Sequence, residues 1–275
     1  MAFRFRLCPN DTTAVLKEMF NATPLRVPEA SVKPLLVIAE KDGKTDKRGE
    51  LLPLLEGKTK LKIEWHEDPV SDINLEKTRS VNWDFGFKIL EGFFQGFNIP
   101  GASVANKMSA AKEISLSFKN VRRRWIDKNE LGTALKNRHI DLTHPSLGLF
   151  LGDDPWNMLL VTDVIVSNGF AINNESSTDA GFEAQIPAIQ QIVNEANAKV
   201  QVKKENKNSI TFEGADSLTF AFSCVKLEVN PATGALTVGT TVVTRSTEQG
   251  VVEVEEPEPV ELDENVENAG MLEWD

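Results

Sequence analysis

The segment Met158–Val166 restricts the fold of this chain more than any other part of its sequence. Its residues, MLLVTDVIV, are apolar apart from Thr162 and Asp163. A transmembrane helix needs about 18 or more apolar residues in succession, and the sequence contains no such run. A shorter continuous apolar run is typical of a strand with both faces buried. The segment therefore predicts a fully buried strand in a chain without transmembrane helices.

Other segments alternate between apolar and polar residues, which is the pattern of a strand with one buried face. Lys60–His66 and Ile114–Phe118 alternate most regularly. In Leu218–Val229 the apolar residues change from even to odd positions near Cys224, and this change predicts a β-bulge. Further strands are predicted at Phe3–Leu7, Leu35–Ala39, Ser209–Phe212 and Ala235–Val243, with a turn at Asn230–Gly234.

Helical periodicity is confined to a few segments. In Val81–Ile99 a large apolar residue recurs every fourth position, which predicts an amphipathic helix, although three glycines weaken it. Ile186–Val200 carries a second apolar stripe, and we expect Pro187 in its first turn. Shorter helices are predicted at 11–20, 50–55 and 129–136. Because the strands occur in runs, the predicted fold class is α+β.

Acidic residues are concentrated at the C-terminus. Residues 246–275 contain 11 Asp and Glu and no Lys or Arg. Subtracting these 11 from the 41 acidic residues of the chain leaves 30, which equals the number of Lys and Arg, so residues 1–245 carry no formal net charge. The formal net charge of −11 therefore belongs to the C-terminal segment. A chain with this balance is not expected to bind nucleic acid.

The sequence offers little support for catalysis, and no cofactor or metal is expected. His66 lies on the polar face of a predicted strand, while His139 and His144 lie in a predicted loop with Asp141. This spacing does not match the HExxH motif of zinc enzymes. No nucleophile elbow and no glycine-rich phosphate-binding loop occur. We therefore expect a protein that is not an enzyme.

The N-terminus and the cysteines predict a cytosolic protein. The first residues, MAFRFRLCPN, lack the apolar core and cleavage site of a signal peptide. Two cysteines, Cys8 and Cys224, are too few for a disulfide framework. A single bridge between them stays open as an alternative to two free thiols.

Basic residues form clusters within the neutral body of the chain. Residues 1–63 contain 12 Lys and Arg against 8 acidic residues, and further clusters occur at 122–124 and 203–207. Such clusters are either solvated surfaces or contacts for acidic phospholipid headgroups, which are worth about 1 kcal/mol per Lys or Arg. The candidate lipid-binding residues are Arg4, Arg6, Lys44, Lys47, Arg48, Lys58, Lys60, Lys62, Arg122, Arg123, Arg124, Lys203, Lys204 and Lys207.

Several short segments occur in an order that resembles a known family. These segments are Leu25–Leu35, Arg48–Leu51, Lys112–Trp125, Leu160–Asn168 and Leu218–Phe222. Together they resemble the pore-forming domain of gasdermins in its short microbial branch, closest to the fungal cell-death gasdermins, with a bacterial gasdermin as the other source. The resemblance implies a twisted, mainly antiparallel sheet with packed helices, followed by a short acidic tail.

The resemblance implies a pore-forming cell-death effector. Gasdermin-like proteins are soluble in the cytoplasm when inactive. When active they bind acidic phospholipids, form homo-oligomers and insert hairpins of a multi-pass β-barrel into the inner leaflet of the cell membrane. The strand–helix–strand units around Val81–Ile99 and Ile186–Val200 are then the candidate hairpins. Two alternatives stay open: a soluble lipid- or partner-binding module, and a gasdermin-like protein that a partner variant activates without cleavage.

The resemblance also divides the chain into a pore-forming domain, residues 1–245, and an acidic tail, residues 246–275. The composition of the tail alone is equally typical of a disordered, solubilising segment. A protease of unknown class removes the short tail of microbial relatives, which implies an autoinhibitory tail here. The candidate autoinhibitory residues are Met271, Leu272 and Trp274, and the candidate cleavage linker contains Thr244, Arg245 and Gly250.

The position of Cys8 leaves its role open between two expectations. Some bacterial relatives are acylated on a cysteine near the start of the chain. Cys8 lies deeper than that arrangement and follows a predicted strand. We therefore favour a buried structural thiol over acylation.

Overall fold

The computed structural model of the protein describes residues 22–42, 44–57, 60–70, 74–75, 92–100, 114–174, 180–196 and 199–242. Within these residues an antiparallel sheet of eleven strands dominates the fold, and helices are few. The strands are β1 (Thr23–Glu29), β2 (Leu36–Lys41), β3 (Lys44–Glu50), β4 (His66–Pro69), β5 (Asn74–Leu75), β6 (Ile114–Lys119), β7 (Arg122–Trp125), β8 (Asn157–Asn174), β9 (Val200–Asn206), β10 (Ser209–Val229) and β11 (Leu236–Val242).

Two long strands form the centre of the sheet. β8 has 18 residues and β10 has 21, and they pair with each other along most of their length. The main order is β1-β10-β8-β2-β3; β6 and β7 also pair with β8, while β9 and β11 also pair with β10. Every side chain from Met158 to Ser167 is buried, so the predicted strand with two buried faces is confirmed.

The pairing of β8 with β10 changes register where the sequence predicts a bulge. Ser223 faces Asp163 and Cys224 faces Val161, so Thr162 is the extra residue. A register shift is confirmed near Cys224, but β8 rather than β10 carries the extra residue there; β10 has an extra residue in this pairing at Phe220. Because the bulge shifts the alternation by one residue, Val161 and Val164 contribute to the same core cluster.

The sheet is packed against three clusters of buried side chains. The distal core joins β6, 167–174 of β8 and 209–214 of β10 to the helices. The proximal core lies at the other end of the sheet, around 51–55, 131–150 and the outer ends of β8 and β10. The outer core, on the opposite face, includes Leu25, Ile38, Val164 and Phe222. We call β6, 167–174 of β8, 209–214 of β10 and β9 the distal sheet. We call 158–166 of β8 and 218–229 of β10 the proximal sheet.

Two α-helices have bounds that differ from the predictions. Helix α1 (Lys128–Leu135) begins after Asp127, whose carboxylate accepts hydrogen bonds from two backbone amides of the first turn. Helix α2 (Ala180–Glu195) contains Pro187 in its interior, so the prediction that proline occupies its first turn is wrong. The helix extends past the proline because buried Ile186, Ile189 and Val193 anchor both sides of it in the distal core. The predicted C-terminal end is also wrong, since Val200 begins β9.

The predicted strand Lys60–His66 is wrong. Residues 60–65 form no strand, and β4 begins only at His66. Leu61 and Ile63 still pack partly against the proximal core, so the alternation describes an extended segment whose backbone no neighbouring strand pairs. Trp65, predicted to lie on the same buried face, is 47% exposed.

The predicted helix 50–55 is wrong in its bounds, because Glu50 ends β3 and only Leu52–Leu54 form a short 3₁₀ helix. Other described segments follow their predictions. β6 matches the predicted strand 114–118, β11 matches the final strand, and the two predicted strands at 209–212 and 218–229 are joined in β10. The turn before β11 is closed by a 2.8 Å hydrogen bond from the Gly234 amide to the Asn230 carbonyl. The predicted strand at 3–7 and helix at 11–20 lie outside the described residues. Of the predicted helix 81–99, residues 92–96 are helical, and 81–91 also lie outside the described residues.

Candidate functional site

The distal sheet has one apolar and one polar face. Along β10, Ile210 and Phe212 are buried in the distal core, while Thr211 and Glu213, which alternate with them, are partly exposed on the other face. Phe212 faces Phe170 of β8, which in turn faces Phe118 of β6. The alternation is therefore in register across neighbouring strands, which gives the distal sheet two chemically different surfaces.

Two helical elements cover the apolar face. Phe93 and Phe94 of helix 92–96 are fully buried and contact the Phe170 ring at centroid distances of 5.0 and 5.1 Å. The Phe94 ring also packs edge-on against Phe212, 5.1 Å away. Helix α2 adds its stripe of Ile186, Ile189 and Val193 to the same core. These helices keep the apolar face from water in the described state.

Glycines allow helix 92–96 to approach the sheet closely. A Cβ atom on Gly96 would lie 2.5 Å from the Pro28 carbonyl oxygen. A Cβ atom on Gly214 of β10 would overlap the Phe97 ring. Gly96 is therefore a packing position, and its absence of a side chain is needed for helix–sheet contact.

The opposite face of the distal sheet is a polar groove of about 400 Å³. It is lined by Lys119 of β6, Asn173 of β8, and Thr211 and Glu213 of β10, among others. The Ser209 hydroxyl donates a 2.6 Å hydrogen bond to the Asn173 side chain across the strands. Small and polar side chains thus give this face a surface that tolerates water.

Most of the described candidate lipid-binding residues form ion pairs within the chain. Each of these cations contacts a carboxylate from a nearby strand or helix. The state described here therefore does not present them as free positive charges. The pairs are Lys47–Glu29, Arg48–Asp46, Arg122–Glu67, Arg124–Glu67, Arg123–Asp163, Lys203–Glu213 and Lys204–Glu183.

One face of the β4–β7 ribbon carries a carboxylate held by two arginines. Glu67 faces Arg124 directly across the ribbon and lies diagonal to Arg122. Arg124 Nε donates to Glu67 Oε2 at 2.5 Å, and Arg122 Nη1 donates to Oε1 at 3.1 Å. The hydrogen bond from Arg124 is the main reason that the pKa of Glu67 is lowered. The side chains are 39% (Glu67), 38% (Arg124) and 50% (Arg122) exposed.

The other face of the same ribbon holds a buried ion pair. Arg123 Nε donates to Asp163 Oδ2 at 2.7 Å, and the Asp163 side chain is only 10% exposed. Burial raises the pKa of Asp163, and it outweighs the opposing hydrogen bond from Arg123. The Trp125 indole donates to Asp68 at 2.6 Å and stacks on His66 with ring centroids 4.4 Å apart.

Some candidate residues have no such partner. Lys60 and Lys62 are exposed, form no ion pair with any described residue, and line a groove of about 750 Å³ beside α1. Lys44 is likewise exposed, and Lys207 adds to the effect of Lys204 in lowering the pKa of Glu183. The remaining candidate residues lie outside the described residues: Arg4, Arg6, Lys58, Thr244, Arg245, Gly250, Met271, Leu272 and Trp274.

Residues considered for metal binding have local structural roles. His144 caps a 3₁₀ helix (Pro145–Leu147) by accepting a hydrogen bond from the Ser146 amide at Nδ1. Asp141 accepts two hydrogen bonds from Thr143, which lower its pKa. The part of the chain that the structure describes contains no group of three His, Cys, Asp or Glu side chains placed to hold a metal ion.

The one cysteine among the described residues is Cys224. Cys224 is a free thiol buried in the outer core, and burial strongly raises its pKa. A thiol in this environment is a poor nucleophile.

None of the helices between residues 22 and 242 that the structure describes has the length and apolar character needed to cross a bilayer.

The sequence interpretation missed the carboxylate partners of the arginines. Asp163 interrupts an apolar run, and a buried carboxylate needs a cation beside it; this was a usable signal for the pair with Arg123. Gly214, inside a strand, similarly indicates close approach of another group. Nothing in the sequence marks Glu67, because its position opposite Arg124 depends on how β4 pairs with β7.

Comparisons with known proteins agree on one family. A sequence model described as the bacterial gasdermin family matches residues 25–235. The chain is 25% identical over 226 residues to a gasdermin of Vitiosangium sp. (strain GDMCC 1.1324), covering 81% of this chain and 83% of that protein. It is 26% identical over 222 residues to a gasdermin of a Desulfuromonadales bacterium, covering 80% and 82%.

The fold agrees with this result. A solved structure of a bacterial gasdermin from Bradyrhizobium tropiciagri superposes with a TM-score of 0.57 at 14% sequence identity, covering 83% of this chain and 90% of that one. The relatives are bacterial, which is the second source that the resemblance allowed. The chain belongs to the bacterial gasdermin family, a family of pore-forming effectors rather than enzymes.

Proposed function

We propose that this protein is a cell-death effector that binds acidic membrane lipids, oligomerises and permeabilises the membrane after a protease removes residues 246–275. The observation that carries this proposal is the distal sheet. Helical elements pack on its apolar face, and a polar groove borders its other face. A strand that spans a membrane beside a water-filled pore needs this alternation.

The proposed conversion uses the two segments at the distal sheet. Residues 74–119 and 168–214 each contain sheet strands with a helical element between them. When helix 92–96 and α2 leave the sheet, the face bearing Phe118, Phe170 and Phe212 contacts lipid, and the face bearing Asn173 and Thr211 contacts the pore lumen. A membrane strand requires about 9–11 residues, so the segments lengthen by recruiting the helical residues.

The acidic tail serves as the inhibitory segment in this proposal. Residues 246–275 carry the whole formal net charge of −11, so cutting in the linker at 244–250 leaves a domain without net charge. Such a domain is no longer repelled by an anionic membrane surface. Met271, Leu272 and Trp274 are the apolar side chains by which the tail docks.

The proposed locations and partners follow from this sequence of events. The inactive protein is cytoplasmic, and the active homo-oligomer lies in the inner leaflet of the cell membrane. The basic residues identified from the sequence contact acidic phospholipids. For those held in ion pairs, lipid headgroups replace the intramolecular carboxylates. The activating protease acts on the linker, and its class is not specified by the linker sequence.

Leakage from vesicles tests the proposal. A site for a sequence-specific protease is placed at 244–250 of the full chain, and the protein is cut in the presence of dye-filled vesicles. We expect rapid release from vesicles with acidic lipids and little release from neutral vesicles. The matched control is the unmodified chain treated with the same protease.

Each other outcome has a defined meaning. Cut protein that sediments with acidic vesicles but releases no dye would refute pore formation and support a lipid-binding module. Equal release by uncut and cut protein would refute inhibition by the tail. Ring-shaped or arc-shaped oligomers in electron micrographs of leaking vesicles would support the assembly step.

A further inference from the structure

We propose that Arg122 and Arg124 form a binding fork for a phosphomonoester, and that Glu67 occupies this fork in the resting protein. The ligand class is a phosphate group with two negative charges, on a lipid headgroup or free in solution. The inference that the ligand is a lipid rests on the proposed function. The fork itself rests on the geometry of β4 and β7.

The two guanidinium groups converge on one anion. Arg122 and Arg124 are two positions apart on a strand, so their side chains leave the same face. They donate to different oxygens of the Glu67 carboxylate, at 3.1 and 2.5 Å. Guanidinium groups that bind separate oxygens of one anion match the geometry with which arginine binds phosphate.

The other cations in ion pairs differ in this respect. Lys203 contacts Glu213, and Lys204 contacts Glu183, with one cation for each carboxylate. At the fork, two positive charges meet a single negative charge. Among the described residues, Glu67 supplies one negative charge for these two positive charges, whereas a phosphomonoester brings a charge of about −1.5 to −2 and three acceptor oxygens.

The carboxylate is placed so that it can be displaced. Glu67 and both arginines are between 38% and 50% exposed, and exposed ion pairs contribute little to stability. Arg123, between them, is fixed on the opposite face by buried Asp163. Release of Glu67 therefore frees the fork while the arginine between its two members stays anchored to β8.

The surroundings favour a lipid over free phosphate. Trp65, the large apolar side chain most exposed in the described part of the chain, lies two positions before Glu67. Tryptophan is enriched where proteins meet the membrane–water interface. A headgroup that enters the fork therefore comes with an interfacial aromatic residue on the same chain segment.

Vesicle binding by the uncut full chain tests the fork. Three proteins are compared by sedimentation with phosphatidylcholine vesicles that contain phosphatidic acid: the unmodified chain, Glu67→Gln and Glu213→Gln. Glu67→Gln is expected to bind about fivefold more tightly, because it removes one negative charge beside the headgroup. As the matched control, Glu213→Gln removes the same charge but frees one lysine rather than two converging arginines, so it is expected to gain less affinity than Glu67→Gln.

A second set of variants separates the fork from general charge. Adding Arg122→Gln and Arg124→Gln to Glu67→Gln is expected to abolish the gain. Thermal unfolding of each variant shows that it is folded. The proposal is overturned if Glu67→Gln binds like the unmodified chain, or if its gain survives loss of both arginines.

Inorganic phosphate distinguishes the two sources of the ligand. If millimolar phosphate shifts the arginine side-chain NMR signals of Glu67→Gln and competes with vesicles, the fork binds phosphate in either form. If vesicles bind without such competition, the fork requires the membrane. Binding is measured without cleavage, so a failure of the fork and a failure of pore formation give different results: the first abolishes the variant-dependent binding, the second abolishes only leakage.

Discussion

The two parts of strand β8 have different surroundings. From Met158 to Val166 every side chain is buried, because the outer core covers one face and the proximal core, followed by Ile165 of the distal core, covers the other. From Gly169 to Asn173 one face is packed under helices and the other borders a polar groove. The proximal part is buried on both faces and therefore suits only the interior of the folded protein. The distal part has two different faces, which is the alternation that a membrane strand needs. One strand thus joins a fixed scaffold to a convertible segment.

The boundary between the two parts is marked by polar groups. Thr162 forms the bulge, and Asp163 beside it binds Arg123 of β7. The Thr162 carbonyl accepts a 2.9 Å hydrogen bond from the Ile126 amide. These contacts attach β7 and the start of α1 to the proximal part, so release of the distal helices need not disturb it.

The largest expected effect contrasts a phenylalanine of the proximal sheet, in β10, with one of the distal sheet, in β8. Phe222→Ala empties a site in the outer core and Phe170→Ala one in the distal core, where the residues are 1% and 3% exposed. Each is expected to lower the free energy of unfolding by about 3–5 kcal/mol. Hydrogen exchange should rise throughout the chain for Phe222→Ala, and mainly in α2 and 92–96 for Phe170→Ala. Identical exchange patterns would remove the distinction between the two parts.

A glycine pair tests the contact between helix and distal sheet. Gly214→Ala forces the Phe97 ring away, and we expect a loss of about 1–3 kcal/mol together with faster leakage after cleavage. Gly132→Ala in α1 is the control, because a Cβ there meets nothing within 4 Å. It should gain up to about 1 kcal/mol from helix propensity. Urea unfolding and dye release measure both; slower leakage by Gly214→Ala would contradict the prediction.

The two faces of the β4–β7 ribbon should respond to pH in opposite directions. The raised pKa of Asp163 means that the folded state holds its proton more tightly, so its contribution to stability falls as pH rises above 3.8. The lowered pKa of Glu67 means that its contribution is present above pH 4.5 and is lost as pH falls below that value.

Urea unfolding between pH 3 and pH 7 checks this difference. In the unmodified chain, Asp163 makes the free energy of unfolding fall as pH rises, and Asp163→Asn should remove this fall. Glu67 makes the free energy of unfolding rise with pH, and Glu67→Gln should remove this rise. A change of the same sign in both variants would show that burial does not dominate at Asp163.

The smallest expected effect concerns the bulge. The Thr162 hydroxyl is buried and has no hydrogen-bond partner among the described residues. Thr162→Val keeps the shape and removes the unpaired group, so we expect a gain of up to about 1 kcal/mol with unchanged leakage. Thermal unfolding measures it. A marked loss of stability would indicate that the hydroxyl has a partner beyond the described residues.

The local pattern of the sequence predicts the strands well and their partners poorly. The prediction from the apolar run at 158–166 is confirmed. The parity change predicts a register shift near Cys224, but not which strand carries the extra residue. Lys60–His66 has an equally good alternation, but its residues 60–65 form no strand. An extended segment that buries every second side chain shows this alternation whether or not its backbone is hydrogen-bonded to another strand. Alternation alone therefore does not establish a strand.

The candidate site shows the same limit. Clustered arginines are visible at 122–124, but their opposite roles are not. Arg123 reaches a buried aspartate and its two neighbours share an exposed glutamate. That division follows from the two faces of a strand and from the register of β4 against β7, neither of which the clustering of charge specifies.

The continuity of β8 and β10 has a consequence for the speed of conversion. Their pairing runs from Met158 opposite Leu227 to Asn173 opposite Ser209. Forming the first contacts between distant strands is the slow step of sheet assembly, because the loop between them must close before any contact is gained. Here that closure has already occurred in the resting protein. On the proposed function, an inserted hairpin therefore grows from an existing template, and the barrier to pore formation is the release of the helices.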